Sequence, residues 1–290
     1  MIPSGIRITS HTNLLGVIGH PIFHSMSPLM MNTALQELGL DYIYVAFDVH
    51  PENLEKAING IRSLGIKGLN VTLPHKSTII KYIDEVDSFA LKLGAINTIK
   101  NEDGILKAKN TDAGGAKKSL LDKGCNIDGK NILILGSGGV SRAIAYILAE
   151  EANKIVLTDI IKEKAIQVSK EIRSNMKADI EGVLSNNKNL EEYIKKADIL
   201  INATPIGMHP KEDETPIPQD LLRDNLFIFD VVYNPLETRL MREAAEIGCE
   251  TLGGLDMLIN QGVLAFEWWL NKTPNKELMK EKIINFLGLK

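Results

Sequence analysis

The feature that most constrains this 290-residue chain is the turn from Gly136 to Ser141, Gly-Ser-Gly-Gly-Val-Ser. It follows the apolar run Asn131 to Leu135 and opens the amphipathic stretch Ala143 to Glu151. Backbone that approaches a pyrophosphate closely at a helix N-terminus needs residues without a Cβ, and Gly136 and Gly138 meet that need. Ser141 stands where the last glycine of a GxGxxG pattern would fall. Asp159 closes the next apolar run at about the 20-residue spacing expected of a carboxylate that accepts hydrogen bonds from adenosine ribose hydroxyls. The other reading of Asp159 is a helix N-cap for the segment beginning at Lys162. Nearly half of the chain precedes this turn, so the first half is expected to bind something other than the dinucleotide, and redox chemistry on a small molecule is the expected task.

The length fits two domains of about 100 to 200 residues each. Lys and Arg number 33 against 37 Asp and Glu, a net charge of -4, and they are scattered along the chain. That balance points away from nucleic acid and anionic membranes and toward a small-molecule partner. No run approaches about 18 apolar residues, and the N-terminus lacks a basic segment followed by an apolar core, so a cytoplasmic protein is expected. Cys125 and Cys249 belong to no CxxC pattern and read as reduced, buried thiols. His20 and His24 are separated by Pro21, share no helix face and give no metal site.

Strand-like and helix-like segments alternate almost throughout, which predicts an α/β protein with crossover helices. In the first half Asn13–Gly19, Tyr42–Val49, Gly68–Leu73 and Ala95–Ile99 read as strands. Asn101 to Gly104 reads as a hairpin turn, which makes the first sheet mixed. After the glycine turn the strands Lys154–Thr158, Ala197–Thr204, Phe227–Val232 and Cys249–Gly253 are expected, with a charged helix over Lys162–Met176. From Leu255 to Gly288 the pattern is helical only, so these helices must pack on another part of the chain. Trp268 and Trp269 read as packing residues there.

Three polar clusters lie at strand or turn ends in the first half. His24 to Pro28 places Ser25 and Ser27 before a helix, where Ser27 then Pro28 reads as an N-cap and first-turn pair. The same hydroxyls at a helix start suit a carboxylate. Asn70 to Lys76 carries Asn70, Thr72, His75 and Lys76; His75 reads as a helix-start residue or as a group that tunes Lys76 electrostatically. Asn110 to Asp112 ends in an aspartate that reads as an N-cap for the helix after it. Strand ends of a parallel sheet point toward a common cleft, where a lysine and an aspartate can share a proton.

These clusters, with Ala95 to Thr98, Gly136 to Ser141, Ile201 to Met208 and Gly253 to Gly262, occur in the order found in shikimate dehydrogenases. The chain resembles that family from about Leu14 to about Asn271. The resemblance implies a discontinuous substrate domain, residues 1–112 with 255–290, completed by the C-terminal helices. It also implies an inserted Rossmann-type, doubly wound dinucleotide domain, residues 113–254. The implied activity is the reversible NAD(P)H-dependent reduction of 3-dehydroshikimate to shikimate in the chorismate pathway to aromatic amino acids, by a monomer or homodimer.

By the same resemblance Lys76 and Asp112 are the catalytic pair. Ser25 and Ser27 hold the substrate carboxylate with Tyr233, and Asn70, Thr72, Asn97, Thr111 and Gln261 bind or position the ring hydroxyls. Gly136, Ser137, Gly138, Gly139 and Val140 cradle the pyrophosphate. Thr204, Pro205, Val231, Gly254 and Met257 line the cofactor groove, with Asp159 at the adenosine end. One departure stands out: NADP-dependent members carry an Asn-Arg-Thr clamp where this chain has Asp159, Ile160 and Ile161, which favours NAD, although Lys162 and Lys164 are close by. NAD-using members often accept quinate, so a quinate/shikimate dehydrogenase is the alternative, while the paired serines fit shikimate. A non-catalytic sensor of a dinucleotide and a small acid is a remote third reading, opposed by the presence of both Lys76 and Asp112.

Overall fold

Two six-stranded sheets carry the alternation read from the sequence. The computed structural model describes residues 8–288. Its chain separates into two units, one comprising the residues up to Thr111 and those from Gln261 onward, the other Asp112–Asn260.

The first unit contains β1 (Asn13–Gly19), α1 (Ser27–Glu37), β2 (Tyr42–Asp48), α2 (Leu54–Ser63), β3 (Gly68–Val71), β4 (Glu85–Val86), α3 (Ser88–Leu93), β5 (Thr98–Glu102) and β6 (Ile105–Lys109). Strand order is β2-β1-β3-β5-β6-β4. β1 runs parallel to β2 and β3, whereas β5 is antiparallel to both β3 and β6, so the sheet is mixed. Asp103 and Gly104 join β5 to β6 as a two-residue hairpin loop, the connection that Asp-Gly favours. Ile18, Leu69, Val71, Ile99 and Leu106 from these strands meet Leu54, Ile58 and Ile61 of α2 in one buried cluster.

The second unit contains α4 (Asp112–Asp122), β7 (Asn131–Leu135), α5 (Gly139–Leu148), β8 (Lys154–Asp159), α6 (Lys162–Asn175), β9 (Ile180–Leu184), α7 (Asn187–Ile194), β10 (Ile199–Asn202), β11 (Phe227–Asp230), α8 (Arg239–Ile247) and β12 (Glu250–Gly253). Every pairing in its sheet is parallel, in the order β12-β11-β10-β7-β8-β9. The order reverses between β7 and β10, and crevices at such switch points are where ligands bind doubly wound sheets. The central strands β7, β10 and β11 are mostly apolar and buried almost throughout, because parallel strands are covered on both faces.

α9 (Gly254–Leu270) begins in the second unit and ends in the first, and α10 (Lys276–Phe286) follows it. Both return to the first unit. α10 packs on α1, Trp269 donates its indole N–H to the Ile99 carbonyl at 2.8 Å, and the Lys109 ammonium lies 4.5 Å from the Trp268 ring centre. Among the described residues no helix is long and apolar enough to cross a membrane.

Several local expectations are corrected. β5 starts at Thr98 rather than Ala95, because the Asn97 side chain is drawn into bonds with Thr111 and the chain enters the ladder only after it. β9, α7 and α8 lie in stretches to which the sequence reading assigned no element; β9 is a short strand interrupted by Gly182, which lacks the side chain that would have marked an alternating face. Ser27 is not an N-cap: Met26 occupies that position without a side-chain cap, and Ser27 is the first residue of α1. Asp112 likewise begins α4 instead of preceding it. His75 is not a helix-start residue but a buried one, its ring engaged with the Val49 carbonyl just after β2.

Gly182 shows how tightly α6 lies on β9. A Cβ at this position would fall 2.2 Å from the backbone of Ala165, which has no side-chain freedom with which to yield. Gly182→Ala is therefore expected to destabilise the protein by about 2 to 3 kcal/mol in chemical denaturation, as overpacking against rigid neighbours does. Gly60→Ala, where a Cβ would meet nothing within 4 Å, serves as the control and should gain up to about 1 kcal/mol through helix propensity. Equal midpoints for the two variants would contradict the packing described.

Candidate active site

In the first unit a chain of buried polar side chains runs across the sheet. The Tyr44 hydroxyl donates to Asn70 Oδ1 at 2.8 Å. Asn70 Nδ2 in turn faces the Asn97 carbonyl and Thr98 Oγ1, each at 3.2 Å. Asn97 Oδ1 accepts from the Thr111 amide at 2.6 Å and from the hydroxyls of Thr111 and Thr98 at 3.1 Å. Asn97 Nδ2 reaches Gln261 Oε1 at 3.4 Å. At the start of α1 the Ser27 amide donates to Ser25 Oγ at 3.3 Å. All of these side chains but Ser25 are buried, and buried polar atoms persist in such a place only when they are paired. Four residues expected from separate sequence motifs, Asn70, Asn97, Thr111 and Gln261, thus share one network.

Two members of the network, Tyr44 and Thr98, went unnoticed in the sequence. Tyr44 sits in an alternating strand and Thr98 in a β-branched run, so each reads as ordinary sheet packing. The one available signal was a tyrosine on a buried strand, whose hydroxyl must find a partner. Its backbone is held by Asn32, whose Oδ1 accepts from the Tyr44 amide at 2.9 Å and whose Nδ2 donates to the carbonyls of Tyr44 and Pro28. Burial pushes the Tyr44 phenol well above its ordinary value.

Lys76 lies half-buried in the turn after β3. Three bonds shape that turn: the His75 amide to the Thr72 carbonyl at 3.0 Å, the Ile96 amide to the Lys76 carbonyl at 2.9 Å, and His75 Nε2 to the Val49 carbonyl at 2.7 Å. A carbonyl only accepts, so Nε2 carries the proton, and His75 anchors the lysine turn to the end of β2. Asp112 opens the second unit as the first residue of α4.

In the second unit the glycine turn occupies the C-terminal end of β7. Gly136 has φ +95°, a left-handed conformation that L side chains rarely adopt. Added Cβ atoms at Gly138 and Gly139 would meet nothing within 4 Å, and α5 starts with Gly138 at its N-cap position and no capping side chain. An open cradle at an uncapped helix start fits a pyrophosphate. Asp159 is not the N-cap of α6; Ile161 is, without a side-chain bond. The carboxylate instead accepts from Ser137 Oγ at 2.6 Å, the Ser137 amide at 3.0 Å and the Ile161 amide at 2.9 Å. Partial burial works against its charge, but these hydrogen bonds and Lys164 prevail and hold it below the ordinary carboxylate value. Beyond it Ile160 is 82 % exposed, an apolar surface where an adenine-stacking cation was absent from the sequence.

The ends of β10 and β11 are braced by a second buried network. Asp230 accepts from Asn202 Nδ2 at 3.0 Å, the Val232 amide at 3.0 Å and the Thr238 hydroxyl at 2.7 Å. Asn202 Oδ1 takes the Thr204 amide and hydroxyl, which fixes the loop through Pro205. The Gly254 amide donates to the Val232 carbonyl at 3.1 Å, and a Cβ on Gly254 would lie 2.1 Å from the Val231 carbonyl oxygen. Thr204, Val231, Gly254 and the buried Met257 are therefore held from the same end of the sheet as the glycine turn. Tyr233 follows Val232 in the loop after β11, and burial pushes its phenol above the usual value. Asn202 and Asp230 were not marked as site residues in the sequence, since each is the polar end of an apolar strand. Among the described residues no His, Cys, Asp and Glu side chains group to hold a metal ion.

Comparison with known proteins gives three family-model matches. Residues 17–99 match the shikimate dehydrogenase substrate binding domain, residues 254–284 the shikimate 5′-dehydrogenase C-terminal domain, and residues 132–215 the saccharopine dehydrogenase NADP binding domain. A shikimate dehydrogenase (NADP+) of Methanocaldococcus jannaschii is 46% identical over 279 residues, 96% of this chain and 98% of the relative. The crystal structure of a shikimate dehydrogenase in complex with NADP+ superposes with a TM-score of 0.91 at 44% identity, covering 98% of this chain and 99% of its own. A shikimate 5-dehydrogenase from Listeria monocytogenes, in complex with shikimate and NAD, also gives a TM-score of 0.91, at 39% identity with 96% and 98% covered.

The bonds to Asp159 set a pH dependence. A carboxyl whose folded-state value is lowered contributes stability that is present above its unfolded value of about 3.9 and is lost as pH falls through the folded value. Asp159→Asn should lower the denaturation midpoint at pH near 7, and the gap from the unsubstituted protein should close as the pH is taken below about 4. A gap that stays constant with pH would contradict a charged Asp159 brace.

Proposed function

The chain belongs to the shikimate dehydrogenase family, and from that membership we propose that it catalyses the reversible NAD(P)H-dependent reduction of 3-dehydroshikimate to shikimate. One observation carries the reading. Asn70, Asn97, Thr111 and Gln261, drawn from distant parts of the sequence, share one hydrogen-bonded network in the unit that also carries Lys76. Hydroxyl and amide groups in that density suit a polyhydroxylated acid. The first unit, extended to residues 1–112 with 255–290, is the substrate domain in this reading, and residues 113–254 are the dinucleotide domain.

Reduction of the ring carbonyl adds a hydride to carbon and a proton to oxygen. When bound, the nicotinamide supplies the hydride. Lys76 as ammonium gives the proton to the oxygen as negative charge develops there, and in the oxidative direction its neutral amine takes the hydroxyl proton. Asp112 orients Lys76 and the ring hydroxyl by charge-assisted hydrogen bonds. Ser25 and Ser27 hold the carboxylate with Tyr233, and Asn70, Thr72, Asn97, Thr111 and Gln261 bind or position the ring hydroxyls. His75 fixes the turn from which Lys76 projects.

Gly136 to Val140 cradle the pyrophosphate, and Thr204, Pro205, Val231, Gly254 and Met257 line the nicotinamide groove. The relatives named above include an NADP+ enzyme and an NAD complex. In this chain NAD is the preferred cofactor. Support comes from the Asp159 carboxylate beside the glycine turn, from a Ser137 hydroxyl already engaged by it, and from the exposed Ile160 in place of a cation. A negative charge there repels a 2′-phosphate and receives ribose hydroxyls. The cytoplasm is the proposed location, in keeping with two free, buried cysteines, of which burial pushes Cys125 up to about 11.

Lys76→Ala is expected to lower kcat by about 10² to 10⁴-fold with a smaller change in KM for shikimate; unchanged turnover would remove Lys76 from the chemistry. Asp159→Ala combined with Ile160→Arg should shift kcat/KM toward NADP by about tenfold or more. A cofactor ratio that does not move would show that specificity lies elsewhere in the second unit.

A further inference from the structure

Thr98, which no sequence motif marked for the site, stands among three residues assigned to the ring hydroxyls. As the first residue of β5 it pairs with Asn70 of β3 in the antiparallel ladder, and side chains directly opposite in such a pair share a face and meet. Its Oγ1 lies 3.2 Å from Asn70 Nδ2, 3.1 Å from Asn97 Oδ1 and 3.0 Å from Thr111 Oγ1. The senses of these bonds follow from groups that can act in only one way. The Asn97 carbonyl only accepts, so the Asn70 atom facing it is the amide nitrogen, and that nitrogen also donates to Thr98. The Thr111 backbone amide only donates, so the Asn97 atom 2.6 Å from it is Oδ1. The one proton of the Thr98 hydroxyl goes to Asn97 Oδ1 or to Thr111 Oγ1. Each of these bonds ends on a residue assigned to the substrate, while Thr98 itself, 0 % exposed, has no surface to offer a ligand.

We propose that Thr98 is a positioning residue for substrate recognition, its hydroxyl holding the side chains of Asn70, Asn97 and Thr111 in the orientation that receives the ring. The proposal rests on the assignment of those three residues to the ring hydroxyls. A terminal amide turns about a broad torsion and can present either its oxygen or its nitrogen. An asparagine therefore reads a hydroxyl in a fixed sense only when its amide is held from behind. For Asn70 that holding is complete: Tyr44 donates to Oδ1 at 2.8 Å, and Asn97 and Thr98 take the two amide protons. What Asn70 then presents is the second lone pair of Oδ1, an acceptor for a ring hydroxyl. Threonine suits the task because its β-branch stiffens χ1 and the ladder fixes its backbone on both sides, so the oxygen is presented in one direction. A valine of the same shape would fill the space, strand one Asn70 proton and release the amide.

The test compares Thr98→Val and Thr98→Ser in the full-length enzyme, following oxidation of shikimate with NAD. Thr98→Val is expected to raise KM for shikimate about tenfold, while kcat changes by less than about threefold and KM for NAD by less than about twofold. Thr98→Ser keeps the oxygen and should return KM for shikimate to within about threefold of the unsubstituted enzyme. An unchanged KM for shikimate in Thr98→Val, with or without a loss of kcat and thermal stability, would overturn the proposal. So would a Thr98→Ser variant as impaired as Thr98→Val, because the methyl and not the hydroxyl would then matter. Should Thr98→Val fail to fold, Thr98→Cys takes its place: sulfur is a weak acceptor, so a KM well above that of Thr98→Ser supports the role and an equal KM refutes it. Asn70→Ala with KM for shikimate unchanged would instead overturn the assignment of Asn70 to the substrate, on which the proposal stands.

Discussion

The side-chain amide of Asn97 is the contact on which the first unit depends. Its oxygen takes the amide and hydroxyl of Thr111 and the hydroxyl of Thr98, and its nitrogen reaches Gln261. Thr111 is the last residue before the chain leaves this unit, and Gln261 is the first after it returns. One buried amide thus ties the point of exit to the point of re-entry, and it does so from the first position before β5. Replacing it by an apolar residue would strand several buried donors at once, which costs far more than a single exposed bond returns. The same clasp sets where Asn70 and Gln261 stand, so the interaction that closes the domain also builds the site.

A comparable economy operates in the second unit. Asp159 braces the glycine turn through Ser137 and the start of α6 through Ile161. The charge that would discriminate between two cofactors is therefore also a structural charge, and cofactor preference and the shape of the turn are linked. Asp230 plays the corresponding part at the other side of the switch point. Burial alone would push its carboxyl up, as it does here, but three hydrogen bonds keep it seated among Asn202, Val232 and Thr238.

The residues that were legible in the sequence share a property: each carries its reason locally. Gly136 announces a backbone conformation, Asp103-Gly104 a turn, and the paired serines before Pro28 a helix start. Lys76 after a proline turn and Asp159 at a strand end are read in the same way. Tyr44, Thr98 and Asn202 were not legible, because their reasons lie across the sheet in the partners that satisfy them. Ser27 and Asp159 illustrate the intermediate case. Both were read as possible helix caps from local spacing; Ser27 instead lies within the first turn of α1, and the Asp159 carboxylate is captured by a serine of the glycine turn. β9 was missed for want of pattern, since Gly182 cuts it, whereas α8 carried its signals locally and was overlooked: Thr238 at the N-cap, Leu240, Met241 and Ala244 on one buried face and Gly248 at the C-cap.

Membership of the family and the buried rack in the first unit leave substrate and cofactor choice as the point where this chain's own residues decide. The most direct measurement is the initial rate of nicotinamide reduction, followed by absorbance, with shikimate and quinate each crossed with NAD and NADP. The expected result is the highest kcat/KM for shikimate with NAD. A higher value with NADP would contradict the role given to Asp159 and Ile160, and a higher value with quinate would contradict the role given to the paired serines.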